Sequence, residues 1–392
     1  MSQTSIPYWR LSSFYFFYFA VIGALIPYWG LYLNDLGFGA QQIGLLMAIL
    51  MASKIVSPFL WGTIADYSAR PLAVIRLTAV VTLLAFSLIF YADGFWFLAA
   101  VMLLFGLFWN GTLPQFEAMT MNHLGDDTHR YSQIRLWGSV GFIIAATLLG
   151  WALDFFSTIV IPVTALALFF FIAIISFFVP AAQASKLEQR QSSSLSQLLK
   201  RPEILALFAI CFLMQASHGP YYSFFSLYLE QHDYSRAVTG ALWSLGVVAE
   251  IVVFLFMARL VQRYSLIGLL LAALVMTTAR WLLVAVFVDE PALLVIAQLG
   301  HAASFGLYHA VVIQLIHRAF TGKNQVRGQA LYSSVSFGAG GALGSGVAGI
   351  IWEQSGAQWV YWFAAAISFI AACICLCLLK GFKSQKENTF SF

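Results

Sequence analysis

LSSFYFFYFAVIGALIPYWGLYL, residues 11–33, is an uncharged and largely apolar stretch. A helix needs about 20 mainly apolar residues to cross a lipid bilayer, whereas the apolar core of a cleavable signal peptide is shorter. The stretch therefore predicts a first membrane helix, near residues 10–33, that stays in the mature protein.

Similar stretches follow along the whole chain. They lie near residues 41–62, 71–91, 95–121, 134–154, 158–180, 203–229, 237–259, 265–287, 291–317, 326–351 and 357–380. An open sheet edge leaves unsatisfied backbone groups in lipid, so each stretch is expected to be helical. The sequence thus predicts an all-α membrane protein with twelve transmembrane helices in two six-helix bundles.

The composition excludes a soluble protein. Of the 392 residues, 61% are hydrophobic and 9% are charged, against about 25% charged in soluble domains. The net charge of +4 lies mostly in short loops, so it gives no indication of nucleic-acid binding. The four cysteines, at 211, 373, 375 and 377, fall in apolar runs without metal-site spacing, and we expect no cofactor or metal.

One long polar stretch, residues 183–202, separates the sixth apolar segment from the seventh. Two homologous six-helix halves joined by a linker are a common layout in transporters. We therefore expect an N-terminal bundle over 1–182, a cytoplasmic linker over 183–202 and a C-terminal bundle over 203–392. Nothing in the sequence requires more than a monomer.

The basic residues predict the orientation of the helices. All Lys and Arg residues except Lys54, Arg236 and Arg280 lie at the termini, in the even-numbered junctions or at the ends of the adjoining helices. Positively charged loops stay in the cytoplasm. We expect a bacterial-type inner (plasma) membrane protein with both termini in the cytoplasm.

Four charged residues lie inside the predicted helices, namely Lys54, Glu117, Glu250 and Arg280, and Arg135 opens the fifth helix. A charge at the centre of the bilayer costs about 2.5–3.5 kcal/mol on insertion scales. Such residues indicate function, although charge pairs that only lock helices together are an alternative. Lys54 lies about two turns from the predicted end of its helix, so snorkelling to the interface also stays open.

Three histidines, His218, His301 and His309, lie in the predicted helices 7 and 10. A spacing of eight residues allows His301 and His309 to face one side of their helix. A carboxyl group in a dry cavity tends to keep its proton, and a nearby guanidinium favours the proton's release. Glu117 with Arg135 and Glu250 with Arg280 are expected to form two such proton-coupling pairs, and an arginine can also hold an anionic substrate.

The segment GTIADYSAR, residues 62–70, follows the second helix. It resembles the signature loop of the major facilitator superfamily, a Gly, then Asp, then Arg/Lys pattern. This resemblance implies that Asp66 and Arg70 take part in gating, with Asp66 stabilising the inner gate. Ala69 stands where the family usually has a second glycine.

The segment RLWGSVGF, residues 135–142, resembles the sugar site of the lactose permease family, with Glu117 eighteen residues before Arg135. The resemblance implies that Glu117 and Arg135 bind substrate and that Phe142 stacks on it. Glu250, Arg280 and His301 match the family's helix 8 glutamate, helix 9 arginine and helix 10 histidine. Ser304 stands at the family's proton-carrying glutamate and Val253 at its sugar-binding asparagine.

The chain also resembles the phenylpropionic acid transporter group of this lineage. The resemblance is carried by RLWGS at 135–139, by WSLGVVAE at 243–250, by the cluster of His218, Tyr221 and Tyr222, and by the histidine pair. It implies a small-molecule substrate, with Tyr28 as a further aromatic candidate for substrate contact. An end-of-helix aromatic such as Tyr28 can equally be an interfacial anchor.

The leading hypothesis is a symporter that uses the proton gradient to move a small aromatic or aliphatic carboxylate. Arg135 or Arg280 would hold the carboxylate, and Glu117, Glu250 or the helix 10 histidines would carry the proton. A sugar or nucleoside symporter, or a drug efflux protein, is the alternative within transport. An integral membrane transferase is the alternative outside it, but the clustered aspartates or His–Asp pair that such an enzyme needs are missing from the helices.

Overall fold

The structure of the chain is a computed structural model that describes residues 6–125, 127–181, 195–321 and 324–385. Most of the predicted linker, including Lys186 and Arg190, lies outside these residues, as do Lys323 and Lys386. All regular structure in the described residues is helical.

Within these described ranges, twelve helices are long and apolar enough to cross a membrane, which confirms the predicted fold class. They are α1 (Tyr8–Asp35), α2 (Ala40–Ser68), α3 (Pro71–Tyr91), α4 (Phe95–Leu124), α5 (Thr128–Leu153), α6 (Val160–Phe178), α7 (Pro202–Gln231), α8 (Arg236–Arg263), α9 (Leu266–Val286), α10 (Pro291–Ala319), α11 (Arg327–Ser355) and α12 (Ala357–Leu378). Each coincides with one apolar stretch of the sequence, because only segments of that length and composition can satisfy their backbone groups within lipid.

Two of these helices contain a π-helical turn. In α10 it spans Ala302–Leu307, and in α11 it spans Ser334–Gly340. A π turn is a local widening of the helix that is frequent at functional sites. The turn in α10 directly follows His301, so it changes the directions in which the polar side chains before and after it leave the helix.

The contacts of the backbone divide the chain into two units. The first comprises Met1–Leu187 with Asp233–Ser244, and the second comprises Glu188–His232 with Leu245–Phe392. The beginning of α8 thus belongs to the first unit, where the Asp154 carboxylate accepts a hydrogen bond from the backbone nitrogen of Arg236 at 2.8 Å. A domain boundary within the linker stays a prediction.

Glycines allow α1 and α5 to approach closely in the first unit. A Cβ atom on Gly23 would stand 2.5 Å from the carbonyl oxygen of Phe142, and one on Gly141 would overlap the carbonyl oxygen of Phe16. Small residues that let two backbones meet are typical of helix packing in lipid. The crossing fixes the spacing of two of the three helices that supply the polar cluster around Glu117.

The glycine-rich part of α11 packs against α7 in the second unit. A Cβ atom on Gly340 would stand 2.5 Å from the carbonyl oxygen of Phe212, and one on Gly344 would overlap the carbonyl of Ala216. These glycines therefore serve helix packing, as expected from a run without a phosphate-binding motif. Beside them a core of aliphatic and aromatic side chains from α7, α9, α10 and α12 fills the unit.

Helix α2 extends beyond its predicted end near residue 62 and continues to Ser68. Its C-cap is Ala69, which adopts the left-handed conformation with φ of 52°. A residue with a Cβ atom is strained in this region by about 1–2 kcal/mol. The strain gives a physical reason for the glycine that the signature loop usually carries at this position.

Candidate functional site

The first polar cluster, called the Glu117 cluster, comprises Glu117, Tyr131, Arg135, Tyr15 and Phe19. The Nε atom of Arg135 lies 3.8 Å from Oε1 of Glu117, and the Tyr131 hydroxyl donates to the same oxygen at 3.3 Å. The side chains of Arg135 and Glu117 are 30% and 36% exposed. The ion pair is thus loose and accessible, so a solute can compete for either partner.

Aromatic rings surround the cation of this cluster. The Arg135 guanidinium carbon lies 3.8 Å from the centre of the Phe19 ring and 5.6 Å from that of Tyr15. Gly138 leaves the necessary space, since a Cβ atom there would stand 2.8 Å from the Phe19 ring and 2.9 Å from Arg135. An arginine stacked on a ring and paired loosely with a carboxylate can bind a small solute that carries both an aromatic ring and an acid group.

Two predicted substrate contacts of the first unit are buried. Phe142 is 8% exposed, and its backbone forms the close crossing with Gly23. Tyr28 is fully buried, and its hydroxyl donates to the carbonyl oxygen of Ala146 at 2.5 Å. Phe19 is the ring stacked on Arg135, and Tyr28 connects α1 to α5. Stacking of Phe142 on the substrate stays a prediction.

The second polar cluster, called the Arg280 cluster, lies in the second unit and centres on a guanidinium that is 1% exposed. Arg280 donates to the carbonyl oxygen of Ala297 at 3.1 Å, to Oγ of Ser304 at 2.8 Å and to Oε1 of Gln298 at 3.4 Å. Its carbon lies 4.5 Å from the centre of the Tyr221 ring. These partners are neutral, and together they hold a charge that burial would otherwise make very costly.

Glu250 pairs with a histidine in this unit. Its Oε1 atom lies 2.7 Å from Nε2 of His301, with the two side chains 12% and 8% exposed. The sequence suggests Arg280 as the partner of Glu250; in the structure Glu250 contacts His301 directly and also interacts electrostatically with Arg280. Such a buried carboxylate–imidazole pair can hold a proton between its two members.

Two glycines provide the space for this pair. A Cβ atom on Gly246 of α8 would stand 3.1 Å from the His301 ring, and one on Gly306 of α10 would stand 3.4 Å from Cγ of Glu250. Each helix thus presents a glycine opposite the polar residue of the other. The short distance between Glu250 and His301 follows from this reciprocal arrangement.

His218 and His309 extend the cluster in two directions. His218 donates from Nδ1 to the carbonyl oxygen of Met214 at 2.8 Å, and its Nε2 lies 3.4 Å from Oγ of Ser304. The rings of His301, Phe305 and His309 stack along α10 with centres 5.5 and 6.0 Å apart. The two helix 10 histidines therefore share one face, as their spacing predicts.

Aromatic residues and orphan polar atoms complete the Arg280 cluster. The hydroxyl of Tyr221 donates to Oε1 of Gln298 at 3.0 Å, and the Tyr222 ring centre lies 5.9 Å from that of His218. Buried Nε2 of Gln298 and Nδ1 of His301 have no hydrogen-bond partner within the described residues. Unpaired buried polar atoms are costly, so these two atoms offer unused hydrogen-bonding capacity to a polar ligand.

The predicted gating residues lie at the end of α2. Asp66 and Arg70 are both exposed. Within the described residues no side-chain hydrogen bond or ion pair of Asp66 is seen, and the backbone nitrogen of Arg70 donates to Oγ of Ser68 at 3.3 Å. Their role in gating stays a prediction.

Several cluster members were not identified from the sequence. Phe19 and Tyr15 lie in an aromatic run of α1 whose members look alike, and only packing selects two of them. Tyr131 offered a signal, since it precedes Arg135 by one helical turn. Ser304 was noted only as the residue at the family's proton-carrying glutamate, and the sequence gave no sign that it and Gln298 bind Arg280.

Comparison with known proteins agrees with this architecture. Residues 8–363 match the model of the MFS_1 like family. The chain is 30% identical over 363 residues to an Escherichia coli (strain K12) protein described as "Probable 3-phenylpropionic acid transporter", covering 91% of this chain and 94% of that one. It is 28% identical to a maltose permease of Geobacillus stearothermophilus, covering 96% and 95%.

Solved structures show the same fold. The structure of the nucleoside transporter NupG superposes with a TM-score of 0.80 at 20% identity, covering 97% of this chain and 100% of that one. A bacterial homologue of the human lysosomal transporter Spinster, in an inward-facing and occupied conformation, has a TM-score of 0.73 at 13% identity, covering 95% and 96%. At these identities the likeness extends to the fold.

Proposed function

The chain belongs to the MFS_1 like family of major facilitator transporters, and from this premise we propose that it moves a small aromatic carboxylate across the membrane together with protons. Transport proceeds by alternating access, in which a substrate site near the middle of the bilayer opens first to one side of the membrane and then to the other. The transporter works as a monomer in a bacterial inner membrane, with both termini in the cytoplasm and the proton gradient as its energy source.

The observation that carries this proposal is the Glu117 cluster. It combines an accessible cation, an accessible carboxylate and an aromatic ring in one place. The carboxylate of such a solute complements the cation and its ring complements the aromatic ring, which leaves the Glu117 carboxylate to bind the proton. The 30% identical relative described as a 3-phenylpropionic acid transporter supports the same substrate class.

The loose ion pair suggests how substrate and proton are coupled. When the carboxylate of the substrate takes over Arg135, Glu117 loses its countercharge. An uncompensated carboxylate at membrane depth is costly, so Glu117 then takes up a proton. Substrate anion and proton thus bind together, and the loaded site carries the same net charge as the empty one. Because the net charge of the site is unchanged, the loaded protein can change conformation as the empty one does.

The Glu250–His301 pair is a second proton-binding group in this mechanism. The pair is nearly buried, so protonation changes the charge in a region that water reaches poorly. Arg280, held by neutral partners, supplies positive charge to the same region of the second unit. The polar network around Arg280 and the Glu250–His301 pair is completed by Tyr221, Tyr222, His218 and His309.

The test is uptake of labelled 3-phenylpropionate into proteoliposomes under an inward proton gradient. We expect accumulation that an uncoupler abolishes. Glu117→Gln should lose accumulation but keep exchange of internal for external substrate, because exchange needs no net proton movement. Glu290→Gln, which neutralises an exposed loop carboxylate, is the matched control and should accumulate normally. Accumulation by Glu117→Gln at the level of the unmodified protein would refute the role of Glu117.

A sugar symporter is the second candidate. It is supported by the 28% identical maltose permease and by the buried amide nitrogen of Gln298, which has no partner in the described part of the chain and is a donor for a hydroxyl group. Uptake of labelled maltose that excess 3-phenylpropionate does not reduce would favour this candidate. Absence of uptake for both, with resistance to toxic compounds on overexpression, would favour drug efflux.

A further inference from the structure

We propose that Lys54 is a second anion-binding group of the first unit, which binds the carboxylate of the transported solute at a stage of transport in which that carboxylate does not occupy Arg135. This inference rests on the proposed function, because it names a ligand for the same class of substrate. Lys54 lies outside the Glu117 cluster. From the sequence alone, its side chain could equally extend to the membrane interface without a role in transport.

The depth of Lys54 in the membrane argues against snorkelling. Lys54 lies midway along α2, which runs Ala40–Ser68, about 21 Å from either end at 1.5 Å per residue. Even from the end of the apolar stretch near residue 62, Lys54 is eight residues away, which is about 12 Å along the helix axis. An extended lysine side chain spans only about half of that distance. The ammonium group of Lys54 therefore stays within the hydrocarbon core.

The direction of Lys54 is toward the bundle. Met47, Leu50 and Trp61, at seven and four residues before it and seven after it, are all buried. Residues with these spacings share one helix face. Val56, which lies on the far side of the helix, is 53% exposed. Lys54 itself is half-buried, so its side chain lies on the inner face and still has accessible surface.

The ammonium group of Lys54 has no hydrogen-bond or ion-pair partner in the part of the chain that the structure describes. The hydroxyls beside it are already engaged. Oγ of Ser53 accepts from the Asn110 amide at 2.7 Å, and Oγ of Ser57 donates to the carbonyl oxygen of Leu107 at 2.6 Å. The local polar groups of α2 thus satisfy contacts with α4 and leave the cation unmatched.

The other membrane-embedded cations of the first unit differ in this respect. Arg135 pairs with Glu117, and Arg76 donates to carbonyl oxygens at the end of α6. An unpaired charge at membrane depth is retained only where it has a function or a partner. A carboxylate supplied by the solute is such a partner, and the depth of Lys54 excludes lipid headgroups as the source of the anion.

The position of Lys54 is distinct from that of the Glu117 cluster. The bond between Ser53 and Asn110 places Lys54 at the level of Asn110 on α4. Glu117 follows Asn110 by two helical turns, about 10 Å along the axis. Lys54 therefore adds a cation at a second level of the first unit, where it raises the preference for anionic over neutral solutes.

The experiment measures ligand-induced thermal stabilisation of the purified protein with 3-phenylpropionate, hexanoate and the neutral amide 3-phenylpropionamide. Lys54→Met should weaken carboxylate binding on the order of 10- to 100-fold, the usual effect of losing a charged hydrogen bond, and should bind the amide unchanged. Lys54→Arg should retain carboxylate binding, which also shows that the position tolerates substitution. Lys200→Met, at an exposed lysine, is the matched control.

The outcomes separate this inference from the proposed function. Equal binding of carboxylates by Lys54→Met and the unmodified protein would overturn the role of Lys54 and leave the proposed function standing. Binding of hexanoate but not of 3-phenylpropionate, lost only in Lys54→Met, would support Lys54 and reject the aromatic substrate. If neither carboxylate stabilises the unmodified protein, whether or not the amide does, the anion site is overturned.

Discussion

The close crossing of α1 and α5 gives a prediction that connects packing with the candidate site. In Gly23→Ala the new Cβ atom would stand 2.5 Å from the Phe142 carbonyl oxygen and 3.0 Å from its Cα atom. Ordinary contact begins at 3.4 Å, so the helices must separate by about 0.9 Å. Because the opposing atoms are backbone, no side-chain rotation relieves the overlap.

The expected loss of stability follows from two opposing terms. Overpacking costs about 1–3 kcal/mol, and the higher end applies because the clash is with backbone. Alanine in a helix interior gains up to about 1 kcal/mol over glycine. The net loss is therefore about 1–2 kcal/mol. Phe19 precedes Gly23 by one turn, so the separation also weakens the contact of its ring with Arg135, and uptake should fall.

The assay compares the thermal unfolding midpoint and the uptake rate of Gly23→Ala with those of the unmodified protein. Gly62→Ala is the matched control for stability, since its Cβ atom would stand 3.5 Å from the nearest atom, in Gln115. The control should unfold at the same temperature or slightly higher. A Gly23→Ala protein as stable as Gly62→Ala, with unchanged uptake, would refute the reasoning about the crossing.

Three further predictions concern substitutions of single residues, each measured on the purified protein. Arg280→Lys should lower the free energy of unfolding by about 3 kcal/mol, because an ammonium cannot replace the fork of hydrogen bonds or the stacking on Tyr221; a normal thermal midpoint would contradict this. Ala69→Gly should raise stability by about 1 kcal/mol by relieving the left-handed strain, and a lower midpoint would count against it. Tyr28→Phe should lose about 1 kcal/mol with the bond to Ala146 and keep the KM of uptake, whereas a raised KM would indicate substrate contact.

The number and type of the helices could be predicted from the sequence with little ambiguity. A stretch such as 11–33 has one stable solution in lipid, because every backbone group must be satisfied within the segment itself. The ends were less predictable. The second helix was expected to end near residue 62 but continues to Ser68, since polar residues beyond the apolar core can extend a helix into the interface.

The site could be predicted only in part. Glu117 and Arg135 were recognisable because charges in apolar helices are rare and the two residues fit a known spacing, and the structure does bring them together. The direct contact of Glu250 with His301 was not recognisable. His301 lies on α10 and Arg280, which also interacts with Glu250, lies on α9, and the sequence gives no measure of which helix approaches α8 more closely.

By itself, the sequence determined a twelve-helix membrane protein with a small set of charges placed where charge is costly. This follows because the solvent of each segment can be read from its own composition. Only the tertiary structure decided the pairing of those charges, the stacking of Phe19 on Arg135 and the isolation of Lys54 among the described residues. Each of these depends on which faces of two helices meet, and at crossings such as that of Gly23 with Phe142 the approach is set by backbone geometry in three dimensions.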